Sequence, residues 1–177
     1  MDLLKFETDG LYFEEPGSPE VAALIEEAAE AYGDPACEAL LLRAYLLEPR
    51  NLNVLVGLYR FYYYQHRLTD TVLIAERTLF VAAELLGVPA LSWSDLTLEQ
   101  LNLETPSAIT HLRFYLFALK GAGYLKLRLG DTETGLAMLQ KVRSLDENDR
   151  LGAGELSRVI THKPRAVPNN PKPKSEA

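Results

Sequence analysis

The chain has 177 residues, of which 47% are hydrophobic, and a formal net charge of −7 at pH 7. This length suits one domain with its own core and is short for two domains of ordinary size. An acidic chain without clustered Lys or Arg is poorly suited to gripping a phosphate backbone, so we expect no nucleic-acid binding. The only cysteine, Cys37, excludes an internal disulfide, which suits a reducing cytoplasm.

The sequence predicts neither export nor a membrane span. The apolar start Met1–Leu4 is interrupted at once by Lys5 and Glu7, so we expect no secretion. No stretch approaches the roughly 20 apolar residues of a membrane span. We therefore expect a soluble, cytoplasmic protein that does not contact a membrane.

The two ends differ in charge from the middle. Residues 1–30 carry nine carboxylates against Lys5, a local charge of −8. Residues 1–17 are interpreted as an irregular acidic lead, in which Leu11, Tyr12 and Phe13 are candidates to dock on the body. Residues 163–177 carry a local charge of +3 and four prolines, so we expect a basic, disordered tail.

Between these ends the apolar residues follow the 3.6-residue helical period, and no run alternates apolar and polar residues, which predicts an all-α fold. Ser18-Pro19 and Asp34-Pro35 each combine a capping side chain with a proline suited to a first helical turn. Start and stop signals predict helices from Ser18 to about Tyr32, Asp34 to Pro49, Asn51 to about His66, and Thr69 to Gly87.

The helical pattern breaks over about 87–106, which we interpret as an inserted connection with a capping box at Thr97–Gln100. A long helix is then predicted from Ser107 to Leu129. Two further helices are predicted from Asp131 to Leu145 and from about Asp149 to Thr161.

A 34-residue frame placed at Ser18 and again at Leu52 aligns the small, large and turn positions of two hairpins. The first unit has Val21, Leu24, Cys37, Leu41, Ala44 and Pro49 at the expected positions, and a third frame begins near Leu116. Its ending, residues 145–149, is similar to a Leu-Asp-Pro-Asn-Asp turn with Glu in place of Pro. Over residues 18 to about 160 the chain resembles the tetratricopeptide repeat.

The resemblance implies a domain over 18–162 with about three stacked antiparallel helical hairpins, and the insertion between the second and third. It also implies a solenoid whose concave face, lined by the leading helix of each hairpin, holds a peptide or helix of another protein. On this reading the chain is a small adaptor or assembly chaperone, a monomer or weak homo-oligomer, with a protein partner. The alternative is a structural subunit of an oligomeric complex.

Two helices carry the candidate binding residues. Leu58–Arg67 packs five aromatics and two arginines into ten residues, and His111–Lys120 repeats its Arg-Phe-Tyr order. Tyr and Arg are favoured binding anchors, so some of these side chains are expected to face the groove. The alternative is that Leu58, Phe61 and Tyr62 are core and the rest cover the surface. The predicted partner-binding residues are Arg60, Tyr63, Tyr64, Arg67, His111, Arg113 and Phe117.

No enzyme, metal or cofactor site is predicted. His66, His111 and His162 are far apart and match no ligand spacing, and no Gly-rich phosphate loop occurs. Cys37 is expected to be a buried, inert thiol, and Gly121 and Gly123 are expected to permit a close helix–helix approach. Trp93 either pins the insertion to the helices or anchors a partner.

Overall fold

The computed structural model describes residues 17–88, 93–101, 103–146 and 148–161. Over these residues the fold is all-helical, as predicted, and contains no strand. The predicted acidic lead, apart from Gly17, and the predicted basic tail lie outside the described residues. The described helices are α1 (Pro19–Glu30), α2 (Ala36–Leu47), α3 (Leu52–Tyr64), α4 (Leu68–Leu86), a short 3-10 helix (Leu98–Gln100), α5 (Pro106–Arg128), α6 (Thr132–Leu145) and α7 (Ala153–Thr161).

Most helices begin where a side chain satisfies their free backbone amides. The side chain of Ser18 accepts from the Val21 amide at 3.4 Å, that of Asn51 from the Asn53 amide at 2.9 Å, and that of Asp131 from the Thr134 amide at 3.2 Å. The predicted capping box at Thr97–Gln100 is present. Because these signals are local, the sequence predicted most helix boundaries to within a few residues.

The predicted start of the last helix near Asp149 is wrong, since α7 begins at Ala153. Asp149 has a φ of 47° and Gly152 a φ of 67°, both left-handed, so the backbone turns here instead of continuing as a helix. The Asp149 carboxylate accepts from the Gly154 amide at 2.9 Å. The aspartate therefore stabilises the turn before α7.

Each described helix packs against the next one along the chain, from α1 on α2 through to α6 on α7. The middle helix, α3, contributes to two apolar clusters. Val54, Leu58 and Phe61 pack with α1 and α2, whereas Leu55 and Tyr59 pack with α4, α5 and the elements that follow. Burial of Leu58, Phe61 and Tyr62 confirms their assignment to the core.

The other packing predictions can be checked directly. A Cβ on Gly123 would lie 3.0 Å from Cβ of Met138 and 3.1 Å from the carbonyl oxygen of Gly135, which confirms the close approach of α5 and α6. Cys37 is buried, as predicted, and burial raises the pKa of its thiol. Trp93 is half-buried against the larger cluster, as a pin of the connection would be.

Candidate functional site

The two helices that carry the predicted binding residues, α3 and α5, both pack against α4, and their side chains meet across it. Val56 and Tyr59, in the first part of α3, line one crevice with Phe114 and Phe117 of α5. Near the other end, the hydroxyl of Tyr63 hydrogen-bonds to Tyr124. The two helices therefore run in the same direction, and α4 lies beneath the crevice.

The crevice is narrow and apolar. Its volume is about 20 Å³, room for about one water molecule. Sites for drug-sized ligands and cofactors occupy at least roughly 300 Å³. The crevice therefore has room for no more than the tip of one apolar side chain, and its lining residues are Val56, Tyr59, Ala75, Thr78, Phe114, Phe117 and Ala118.

Exposed arginines and aromatics lie beside the crevice. Arg60 and Tyr64 are exposed on α3 and are four residues apart, so they share one face of the helix. Arg113 is exposed on α5 four residues before Phe117, which lines the crevice. Within the described ranges neither Arg60 nor Arg113 takes part in a salt bridge. We call Arg60, Tyr64, Arg113, Phe117 and the crevice between them the α3–α5 face.

Tyr63 is half-buried and helps to hold α3 against α5. Its ring stacks on Tyr59 with centroids 6.1 Å apart, and its hydroxyl bonds to Tyr124, which accepts from Nη1 of Arg128 at 2.8 Å. Burial, followed by the bond to Tyr124, raises the pKa of Tyr63 to about 12. The structure thus gives Tyr63 a packing role, and its contact with a partner stays a prediction.

Arg67 is exposed but already engaged within the chain. Its guanidinium lies 2.7 Å from a carboxylate oxygen of Glu38 and 2.7 Å from one of Asp70, and 4.5 Å from the centroid of the Tyr62 ring. These bonds raise the pKa of Arg67, chiefly through Glu38. Arg67 therefore ties α2, α3 and α4 together, and its predicted role in binding is untested.

His111 is half-buried in the first turns of α5, one turn before Phe114 and Tyr115. It belongs to the helix that forms one wall of the crevice. Its predicted contact with a partner is untested.

Sequence reasoning missed the crevice itself. The sequence analysis assigned no binding role to Val56, Tyr59, Phe114 or Ala118, and only the packing of α3 and α5 on α4 brings them together. The available signal was spacing, because Val56 and Tyr59 lie seven and four residues before Tyr63, and Phe114 lies three before Phe117.

Lys120 was also missed. It is only 8% exposed, which is rare for lysine, and its Nζ donates to the carbonyl oxygen of Leu151 in the turn before α7. Burial lowers its pKa, and the nearby Asp149 and Asp146 oppose that shift. Nothing in the sequence around Lys120 distinguishes it from a surface lysine.

Two other kinds of site are absent from the described residues. No three side chains of His, Cys, Asp or Glu lie close enough together in these ranges to bind a metal ion. None of the helices in the same ranges combines the length and apolar character needed to cross a bilayer.

Among known proteins, the chain is similar to an uncharacterized 19.8 kDa protein. No family model matches, and no solved structure matches. The chain is 49% identical over 160 residues to the uncharacterized 19.8 kDa protein of the nifW 5′ region of Azotobacter chroococcum mcd 1, an alignment that covers 90% of this chain and 89% of that protein. The chain therefore belongs to the family of that 19.8 kDa protein.

Proposed function

We propose that the protein is a small adaptor or assembly chaperone, similar to tetratricopeptide-repeat proteins, that binds a segment of another protein on its α3–α5 face. The observation that carries the proposal is the composition of that face. An apolar crevice lies between two aromatic-rich helices, beside two exposed arginines that no described carboxylate neutralises.

The order of packing supports a stack of helical hairpins. α1 with α2, α3 with α4, and α5 with α6 each form a pair of consecutive packed helices. In such a stack the leading helices of successive hairpins align and leave one surface free for a ligand. α3 and α5 are the leading helices of the second and third pairs, and their parallel direction on either side of the crevice fits that arrangement.

The chemistry of the face indicates the kind of segment that it would bind. The crevice offers an apolar surface on which the tip of one side chain can pack, and Arg60 and Arg113 favour carboxylates beside it. Tyr and Arg are enriched among the few residues that carry most of the energy of protein interfaces. We therefore expect a segment in which one apolar residue is followed or preceded by Asp or Glu.

The first prediction concerns three exposed residues of this face. Replacing Arg60, Tyr64 and Arg113 together with Ala should weaken partner capture at least about 30-fold, because each anchor of this kind contributes on the order of 2 kcal/mol. Capture is measured by a tagged pull-down from native extract with mass spectrometry, and affinity by titration of the partner found. Helicity should change little, since Arg60 and Arg113 form no described salt bridge, and the melting temperature should fall mainly through the lost edge-on contact of Tyr64 with the Tyr63 ring, whose centroids are 5.6 Å apart.

A matched control removes the same residue types from other exposed positions. Tyr32→Ala, Arg43→Ala and Arg150→Ala together should leave partner capture unchanged. Equal capture by both triple variants and the wild type would contradict the proposal. Collapse of the first variant alone would instead assign those residues a structural role.

The comparison also suggests which protein to test first. The name of the relative places its reading frame in the 5′ region of nifW. The protein encoded by nifW is therefore a reasonable first bait for a purified binding assay, beside the unbiased pull-down.

A second candidate function, a structural subunit of an oligomeric complex, is favoured by exposed apolar side chains on α2 and α4. Leu42 and Leu46 on α2 are 39% and 80% exposed, and Leu73 and Phe80 on α4 are 60% and 38% exposed. If these side chains form a permanent interface, the purified chain is an oligomer by light scattering and Leu46→Asp dissociates it. A monomer at high concentration contradicts self-association through it.

A further inference from the structure

The sequence of residues 1–16 complements the α3–α5 face. This segment carries Asp2, Glu7, Asp9, Glu14 and Glu15 against Lys5, a net charge of −4. Its one aromatic-rich run, Leu11-Tyr12-Phe13, directly precedes the last two of these carboxylates. It therefore has the composition that the proposed function expects of a bound segment, an apolar group beside Asp or Glu.

The described fold shows where this segment is attached. The Ser18 amide donates to Oε1 of Glu48 at 2.7 Å, and a Cβ on Gly17 would lie 2.3 Å from Nδ2 of Asn51. Asn51 is the residue that caps α3. The chain thus enters the described fold beside the first turn of one of the two helices that form the crevice.

The distances from this point are short. Val56 and Tyr59 lie five and eight residues after Asn51, or about 8 to 12 Å along the helix axis. Phe13 and Leu11 precede Gly17 by four and six residues, which span up to roughly 13 to 20 Å when extended. The aromatic run is therefore within reach of the crevice without any change in the described helices.

Charge favours the same placement. Arg60 and Arg113 are exposed and form no salt bridge in the described part of the chain, whereas Arg43 of α2 pairs with Glu20, and Arg67, which precedes α4, pairs with Glu38 and Asp70. Glu14 and Glu15 are the carboxylates nearest to Leu11–Phe13 in the sequence. An apolar side chain in the crevice would bring these carboxylates close to the two arginines.

We propose that residues 11–15 bind the α3–α5 face of their own chain, and that a partner must displace them. The displacement part rests on the proposed function, whereas occupation of the face does not. A tethered segment competes at an effective concentration on the order of millimolar. Such competition would weaken the binding of a partner segment to the face, and the more tightly residues 11–15 bind there, the larger the effect.

A labelled synthetic peptide of residues 1–16 tests the proposal on the full chain. The peptide should bind the Tyr12→Asp/Phe13→Asp variant, whose own segment is disabled, at least about 10-fold more tightly than the wild type, in which the face is already occupied. Fluorescence anisotropy gives both dissociation constants. Because ion pairs contribute, binding should weaken as the salt concentration rises.

Two charge reversals locate the binding site. In the Tyr12→Asp/Phe13→Asp background, adding Arg113→Glu should weaken peptide binding at least about 10-fold. Adding Arg150→Glu, a reversal at an exposed arginine elsewhere, should change it less than about 2-fold. Circular dichroism melting of each variant verifies the fold, and Tyr12→Ser/Phe13→Ser repeats the test should the aspartates prevent folding.

Three outcomes would overturn the proposal: no peptide binding to the disabled variant, equal binding to the variant and the wild type, or equal loss with Arg113→Glu and Arg150→Glu. These are distinguishable from failure of the proposed function. If the peptide behaves as expected and partner capture does not depend on Arg60, Tyr64 and Arg113, the face binds its own segment but is not the partner site.

Discussion

Tyr115 shows how one hydroxyl group affects stability. Its side chain is fully buried, and the hydroxyl has no hydrogen-bond partner in the described part of the chain. An unsatisfied buried polar group costs about 1–3 kcal/mol. Tyr115→Phe should therefore raise the free energy of unfolding, by about 1 kcal/mol, in urea titrations followed by circular dichroism. A loss of more than about 1 kcal/mol would mean that the hydroxyl is bonded.

The same residue gives a pH dependence with a defined sign. Burial raises the pKa of Tyr115 to about 12, above the value of about 10 for an exposed tyrosine. The stability that comes from keeping Tyr115 neutral is therefore fully present below about pH 10 and is lost as the pH rises toward 12. The wild type should lose stability over this range more steeply than Tyr115→Phe, and equal slopes would contradict the shift.

Arg60 and Arg67 show what residue types alone cannot predict. Both are arginines on one predicted aromatic helix, and both were assigned to partner binding. Only the packing of α2 brings Glu38 to 2.7 Å from Arg67, while Arg60 is left without a described ion partner. Because Glu38 is 29 residues away in sequence, no local pattern distinguishes the two arginines.

At the scale of elements, the contact between α5 and α6 depends on glycine at two facing positions. A Cβ on Gly135 would lie 2.6 Å from Cγ of Leu127 and 2.8 Å from the carbonyl oxygen of Gly123. Because one of these atoms belongs to the backbone, the helices must separate to admit a methyl group. Overpacking of this kind costs about 1–3 kcal/mol, more than the roughly 1 kcal/mol that Ala gains over Gly in a helix.

Gly135→Ala should consequently lower the melting temperature, measured by calorimetry, although alanine favours helix. Gln140→Ala, at an exposed position of the same helix, is the control and should change the melting temperature little. A Gly135→Ala protein as stable as the control would mean that α5 and α6 do not approach this closely.

Helix positions were predictable because their signals are local. Ser18, Asn51 and Asp131 cap helices that begin next to them, and Gly87 ends α4 in a left-handed conformation at a φ of 69°. The start of α7 was not predictable in the same way. Asp149 resembles a capping residue in the sequence, but its backbone is left-handed and its carboxylate accepts from the Gly154 amide, so it stabilises a turn instead.

For the whole molecule, the pairing of α3 with α5 is the feature that creates a candidate site. Repeat-like spacing predicted that the two helices play equivalent roles, and the repeated Arg-Phe-Tyr order pointed to the same two segments. The crevice was not predictable, because it requires Val56 and Tyr59 to meet Phe114 and Phe117 across α4. That contact depends on how the hairpins stack, which the sequence of neither helix specifies alone.

The central claim is that a partner binds the α3–α5 face and leaves the exposed apolar side chains of α2 and α4 free. Hydroxyl-radical footprinting can decide this, because Tyr64 on that face and Phe80 on α4 are similarly exposed, at 43% and 38%. The measurement uses the Tyr12→Asp/Phe13→Asp variant with and without the captured partner, so that the face is uncovered at the start. The account predicts that oxidation of Tyr64 falls on binding while that of Phe80 stays constant, and the reverse pattern would contradict it.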